Sequence, residues 1–308
     1  MHILKVILAA ICCLGVLSPA AMAETTGEWR LDGTAEAVLP RNFRLCTDAF
    51  RGMEGDVAAR QGLDTLGISG SGQPSAAAMP LLYARLKAAA PAGAVIYMVD
   101  LRQESHGYVD GVPVSWYELH NWANNGLTAP EVEADESARL SGLVGQEFTA
   151  VPLGNSDTKV LTAYTGIGRS VQTEKEAAEQ AGFRYVRFAA TDQVWPAPEA
   201  VDSFLRFYQS LPAGPVWLHF HCHAGHGRTT SFMVMYDILR NPGLSLETIA
   251  QRQWLLGGAN LLAGSLADNW QAEYANDRAA KLRLFYVYVQ EQRPAGFVVS
   301  WTDWLAAQ

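Results

Sequence analysis

The stretch Val216-Trp-Leu-His-Phe-His-Cys222-His-Ala-Gly-His-Gly-Arg228-Thr-Thr230 is an apolar run that ends in a cysteine, with an arginine following after five residues. Val216–Phe220 reads as a buried strand, His221–Gly227 as a loop, and Arg228–Arg240 as a helix stopped by Asn241-Pro242-Gly243. A loop of this length can curl so that successive backbone N–H groups point inward at an anion, and the helix N-terminus adds its partial positive charge. Gly225 and Gly227 permit the backbone angles such a cradle requires. The expected content is a phosphoryl group held by the backbone of His223, Ala224, Gly225, His226 and Gly227, with the planar fork of Arg228 on two of its oxygens. Cys222 then lies at the floor, where inward dipoles and Arg228 favour the thiolate and so a nucleophile. Thr229 is placed to donate its hydroxyl to that sulfur when it becomes the leaving group.

A leaving alkoxide needs a proton, so a carboxylic acid must reach the far side of the phosphate. Asp192 is the candidate: it sits in Ala190-Thr-Asp-Gln-Val-Trp-Pro-Ala-Pro198, directly after the expected strand Phe183–Phe188. Trp195, Pro196 and Pro198 make that loop stiff, to move as a unit. A lone cysteine is usually inert packing and a lone aspartate a turn former. The ordered combination of strand, Cys-x5-Arg-Thr, glycines and helix is what points to phosphoryl transfer. Four of the seven histidines (219, 221, 223 and 226) crowd Cys222 and invite a metal reading. His219 and His221 alternate on one strand face, however, and His221 is better used to orient the loop. His223 and His226 are expected to turn their side chains away from a phosphate, tuning its affinity through partial positive charge. No metal and no cofactor is expected.

Outward from this motif, Ala94–Asp100 reads as a second buried strand that delivers Asp100 and Arg102 at its end, after a helix from Met79 to Ala90. Gly62–Gly72 reads as a loop, Ala134–Leu143 as a helix, and Phe148–Val171 as short β pieces. Thr173 with Glu176 is a capping box opening a helix to Ala181. Pro198–Leu211, Leu246–Leu255 and Trp270–Gln290 complete the helices. The alternation predicts a layered α/β fold with a mainly parallel central sheet, whose site lies at the carboxyl ends of the strands.

The 308 residues are 49% hydrophobic and 18% charged, which excludes disorder, collagen and coiled coil. Residues 1–23 read as a secretory signal peptide: Lys5, an apolar run from Val6 to Leu17, then Ala21-Met22-Ala23. The run is too short for the roughly 20 apolar residues of a membrane helix. An exported, periplasmic or secreted protein is expected. The net charge is −8, and −9 after the leader, which disfavours nucleic-acid binding and gives no reason for a membrane partner once the leader is removed. Cys46 and Cys222 then remain; a disulfide scaffold is excluded, while one Cys46–Cys222 bridge stays open.

The chain resembles the bacterial protein-tyrosine-phosphatase-like inositol polyphosphatases, the cysteine phytases. The resemblance runs through Leu39-Pro-Arg-Asn-Phe-Arg44, Asp100-Leu-Arg-Gln-Glu-Ser-His-Gly107, Trp122-Ala-Asn124, Thr191–Pro196, His219–Thr230, Arg252-Gln253, Gly257-Gly258 and Trp301–Leu305. It implies a tyrosine-phosphatase-like core over residues 24–308 with a small partial β-barrel subdomain at about 143–172. It also implies a small-molecule substrate, myo-inositol polyphosphate, hydrolysed through a phosphocysteine on Cys222, with Arg228 as clamp and Asp192 as general acid. Arg44 and Asp100 would lie at the pocket wall with Arg102 behind them, and Gln253 near the hydrolytic water. Two departures matter. Gln193 follows the acid where relatives commonly carry His, and residues 259–280 hold no Lys and one Arg, Arg278. Either a less phosphorylated inositol or a different pH optimum follows, or arginines and backbone donors elsewhere compensate. The alternatives kept are a phosphotyrosine or dual-specificity protein phosphatase, which needs a deep aromatic-lined cleft, and a non-catalytic anion or metal binder.

Overall fold

The computed structural model describes residues 27–51, 57–153 and 161–308; the expected signal peptide lies outside the described residues. In chain order the elements begin with β1 (Glu28–Leu31), β2 (Arg44–Leu45), β3 (Ile68–Gly72), α1 (Met79–Ala89), β4 (Val95–Arg102), β5 (His106–Val109) and β6 (Val112–Tyr117). There follow α2 (Ala129–Ser141), β7 (Glu147–Ala150), β8 (Tyr164–Ile167), β9 (Val171–Thr173), α3 (Glu174–Ala181) and β10 (Arg184–Ala190). The chain closes with α4 (Pro198–Ser210), β11 (Val216–Cys222), α5 (Gly227–Arg240), α6 (Leu246–Leu255), α7 (Trp270–Gln292) and α8 (Trp301–Ala306).

The central sheet has the order β10-β4-β11-β3-β2, parallel except for the antiparallel edge strand β2. Its register sets Cys222 beside Gly72 and His221 beside Asp100, so the ends of three strands meet where the loop of Cys222 begins. Helix α5 leaves that point and is buried on every side from Arg228 to Leu239, the mark of a helix through the middle of a core. Among the described residues no helix is long and apolar enough to cross a membrane.

A second, antiparallel sheet of order β1-β6-β5-β9, with the β7–β8 ribbon bridged to β1, encloses its own small core of Leu31, Val109, Val114, Leu140, Leu143, Phe148 and Ala150. Among the described residues it is open rather than a closed barrel. Its strands come from residues 28–31 and 106–117 as well as the β segments between 147 and 173. The β5–β6 hairpin turns at Asp110-Gly111, both at positive φ, a two-residue turn matched to strand twist. Helix α2 starts five residues before the expected Ala134, because Thr128 and Glu131 form a capping box with Pro130 in the first turn.

One element departs from the sequence reading. Ile68-Ser-Gly-Ser-Gly72, expected to be loop, is a fully buried strand paired with β11. Its glycines serve close approach: a Cβ on Gly70 would lie 2.6 Å from Met233 Sδ and 2.8 Å from Thr229 Cγ2, both on α5. Gly70→Ala should therefore destabilise the protein by about 1–3 kcal/mol. Gly214→Ala, with open space around it and no positive φ, should change thermal unfolding little. Equal melting temperatures for the two variants would contradict this packing.

Candidate active site

The loop after Cys222 is shaped by what holds its carbonyl oxygens. Arg41 Nη2 donates to His223 O at 2.9 Å, Asn42 Nδ2 to Ala224 O at 2.8 Å and Arg44 Nη1 to Gly225 O at 2.7 Å. With three successive carbonyls engaged from outside, the N–H of Gly225 is left to face the sulfur. Gly225 N donates to Cys222 Sγ at 3.3 Å, and Thr229 Oγ1 donates to the same sulfur at 3.1 Å. Gly225 has φ +79°, and a Cβ there would lie 2.4 Å from Gly72 N, so only glycine fits between this loop and β3. Cys222 is buried, as its place at the floor requires.

Arg228 is aimed by a buried carboxylate absent from the expected site. Its Nη1 and Nη2 meet Glu104 Oε2 and Oε1 at 2.7 and 3.1 Å, and Nη1 also donates to Ala190 O at 3.1 Å. Arg102 Nε and Asn121 Nδ2 reach the same carboxylate. Burial alone would push the Glu104 carboxyl up, but Arg228 and Arg102 outweigh it and hold it well below the usual range. The free edge of Arg228 places Nε 3.3 Å from Asp192 Oδ1.

Asp192 is held from its other side. Asn121 Nδ2 donates to its Oδ2 and Trp122 Nε1 to its carbonyl, each at 2.9 Å. His120, Asn121 and Gln193 all take positive φ around it, a cluster of non-glycine residues in a costly conformation. The rear of this loop is pinned by Trp195, packed against Phe285 and Trp301 with ring centroids 6.2 Å away in both cases. Gln193 gives its carbonyl to Arg278 Nη1 and its side-chain oxygen to Gln271 Nε2. Cys222, Arg228, Thr229 and Asp192 are thus brought together around one point.

Two expected wall residues lie elsewhere. Arg44 is buried; besides Gly225 O its guanidinium serves Asn42 O and Thr230 Oγ1, so it braces the loop from behind. Burial lowers its pKa to about 10. Asp100 is fully buried beneath the loop, accepting from Tyr185 Oη at 2.6 Å and pairing with Arg187 at 3.2 Å. Arg102 joins Asp32 and Glu104, and Gln253 donates to Asp237.

The four histidines have separate environments. His219 reaches Ser69 and Ser71, His221 lies 3.0 Å from Glu174 and 3.8 Å from Asp100, His223 lies 3.2 Å from Asp32, and His226 is exposed. Burial, reinforced by Arg102, Arg187 and Arg228, drives His221 down to about 4 against the pull of Asp100. Burial and Arg30 do the same to His223, again to about 4. Burial thus holds His223 neutral at pH 7 in this pocket. Asp100, Glu174 and His221 do converge as ligand atoms within 4.8 Å. Asp100 Oδ2 is engaged by Tyr185 and Arg187 and Glu174 Oε2 by His106, whereas Glu174 Oε1 and both ring nitrogens of His221 have no hydrogen-bond partner; burial, with Asp100, raises the Glu174 carboxyl well above its usual value. Cys46 and Cys222 are both buried free thiols, and burial pushes the Cys46 thiol up.

Residues 99–240 match the family model PTPlike_phytase, described as inositol hexakisphosphate. The chain is 31% identical over 228 residues to the effector protein hopD2 of Pseudomonas syringae pv. tomato, covering 71% of this chain and 47% of that protein. The PTP-like myo-inositol phosphatase of Mitsuokella multacida, solved in complex with myo-inositol-(1,3,4,5)-tetrakisphosphate, superimposes with a TM-score of 0.82 at 40% identity, over 91% of this chain and 49% of that one. The chain therefore spans about half the length of both. A PTP-like phytase from Bdellovibrio bacteriovorus matches over 92% of this chain and 95% of its own, at 31% identity and a TM-score of 0.69.

The buried histidines generate a stability prediction. Each binds a proton in the unfolded chain near pH 6.5 but in the folded one only near pH 4. Their contribution is fully present above about pH 6.5 and is lost as pH falls towards 4, on the order of 3 kcal/mol for each. Chemical-denaturation midpoints at fixed ionic strength should fall across this window. A flat profile would mean that His221 and His223 are not buried as neutral groups.

Proposed function

Because the chain belongs to the protein-tyrosine-phosphatase-like phytase family, we propose that it is a cysteine-dependent phosphomonoester hydrolase acting on myo-inositol polyphosphates. The observation that carries this reading is the convergence of Cys222 Sγ, held by Gly225 N and Thr229 Oγ1, with the Arg228–Asp192 pair at the end of the central sheet. The inositol tetrakisphosphate bound by the Mitsuokella relative supports the substrate class. The leader read in residues 1–23 supports export of the protein.

In the first step the Cys222 thiolate attacks phosphorus and the ester oxygen departs, taking a proton from Asp192. The loop amides and Arg228 neutralise the equatorial oxygens as charge spreads over them. Glu104 keeps the guanidinium plane fixed, so little reorganisation is needed at the moment of reaction. In the second step water attacks the phosphocysteine; the Asp192 carboxylate accepts its proton, inorganic phosphate leaves, and Thr229 Oγ1 donates to the departing sulfur. Asn121 holds Asp192 Oδ2, which leaves Oδ1, the oxygen facing Arg228, to carry the transferred proton.

Purified protein should release phosphate from myo-inositol hexakisphosphate or its less phosphorylated derivatives between pH 4 and 8. Cys222→Ser should abolish release, and Asp192→Asn should lower kcat by about 10²–10⁴-fold. Undiminished activity in Cys222→Ser would exclude the phosphocysteine route. A phosphotyrosine peptide preferred over every inositol phosphate would move the assignment to a protein phosphatase.

A further inference from the structure

Just outside Asp192 lies a cleft of about 190 Å³ whose walls include Arg30, Tyr117, His120, Gln193, Trp270 and Gln271. Asp192, the acid proposed above for the leaving oxygen, is itself among its lining residues. Its chemistry is aromatic and neutral. The rings of His120 and Trp270 lie 3.7 Å apart between centroids, and Trp122 stands edge-on behind both, at 5.3 and 5.9 Å. Gln193 and Gln271 join their amides across the rim at 2.8 Å.

Setting His120 aside, Arg30 is the one formal cation among the lining residues and Asp192 the one formal anion. Arg30 is buried, gives Nε to Asp32 at 2.7 Å and lies over the Tyr117 ring, with Nη2 left without a hydrogen-bond partner. Arg278, on helix α7, does not line the cleft; it gives Nη1 to the carbonyl of Gln193, and its Nε has no hydrogen-bond partner. The faces of aromatic rings carry negative charge density and disfavour an anion laid against them, while accepting C–H and hydroxyl edges. With one guanidinium among its lining residues and an aromatic wall, the cleft suits a partner with a single phosphate or none at this place.

We infer that this cleft is a substrate subsite that selects partly dephosphorylated inositol phosphates, those presenting a free hydroxyl beside the scissile ester, over the hexakisphosphate. The inference rests on the function proposed above, and its Trp270 wall acts on specificity rather than on the chemical step.

The test compares kcat/KM for myo-inositol hexakisphosphate and for myo-inositol-(1,3,4,5)-tetrakisphosphate in wild type, Trp270→Lys and Trp270→Phe, with p-nitrophenyl phosphate and a phosphotyrosine peptide alongside. Trp270 is part-exposed at the first position of α7, so the fold tolerates its replacement. Wild type should favour the tetrakisphosphate. Trp270→Lys should move the ratio towards the hexakisphosphate by roughly threefold or more, the size expected for one partly screened charge, and chiefly through KM. Trp270→Phe, which keeps the aromatic wall, should retain the wild-type ratio. A wild-type preference for the hexakisphosphate, or a ratio that Trp270→Lys leaves unmoved, would overturn the subsite while leaving the inositol phosphatase reading intact. Turnover of p-nitrophenyl phosphate or the peptide with no inositol phosphate hydrolysed would overturn both.

Discussion

The capture of three consecutive carbonyl oxygens, those of His223, Ala224 and Gly225, by Arg41, Asn42 and Arg44 is the constraint on which the site depends. A buried peptide group must find partners for both its polar ends. Once the oxygens are satisfied from outside, the N–H groups are available inside, where Gly225 N meets the sulfur and the first turn of α5 adds its dipole. The arrangement is prepaid in folding: the loop needs no rearrangement to meet an anion. It also explains the glycines of β3, because the loop can sit this low only if Gly70 and Gly72 leave room for α5, Arg41 and His223.

Beneath the loop, five buried carboxylates (Asp32, Asp100, Glu104, Glu136 and Glu174) meet four buried guanidiniums (Arg30, Arg102, Arg187 and Arg228). Glu174, between His106 and His221, has its carboxyl raised well above its usual value by burial and Asp100, which eases the excess negative charge. Such networks contribute little net stability, since desolvating each ion offsets most of its attraction. Their value here is geometric. Glu104 can hold Arg228 in one orientation because Arg102 and Asn121 hold Glu104, and Asn121 in turn holds Asp192. The nucleophile's clamp and the acid are therefore set by one connected set of bonds.

Much of this was legible in the chain. The strand, loop and helix around Cys222, the capping box at Thr173 and the helices at 79, 198 and 246 follow from apolar periodicity and caps, which are local signals. Strand β3 was not, because two glycines in five residues read as a loop when nothing reveals the helix packed against them. The β5–β6 hairpin did carry a local signal, Asp110-Gly111 between β-prone runs, that pattern reading can use. Glu104 lies two residues past the end of β4, the place where an α/β sheet keeps its chemistry, yet nothing in its neighbours shows that its partner is Arg228.

The amino-acid sequence by itself determined the chemistry: Cys222 and Arg228 at the span of one phosphate-sized loop, Thr229 one turn of helix behind the sulfur, and Asp192 on a stiff loop after a strand. These relations are short in sequence or repeat a periodic pattern, so they survive without coordinates. Only the tertiary structure decided what each polar side chain faces. Arg44 lies 181 residues from the carbonyl it holds, Glu104 lies 124 from Arg228, and Asn121 lies 71 from Asp192. It moved Arg44 and Asp100 from the pocket wall to the scaffold beneath it, and it made His223 neutral by enclosing it. The reason is physical: solvation and charge pairing depend on neighbours in space, and the chain brings those neighbours together only when the sheet closes its register.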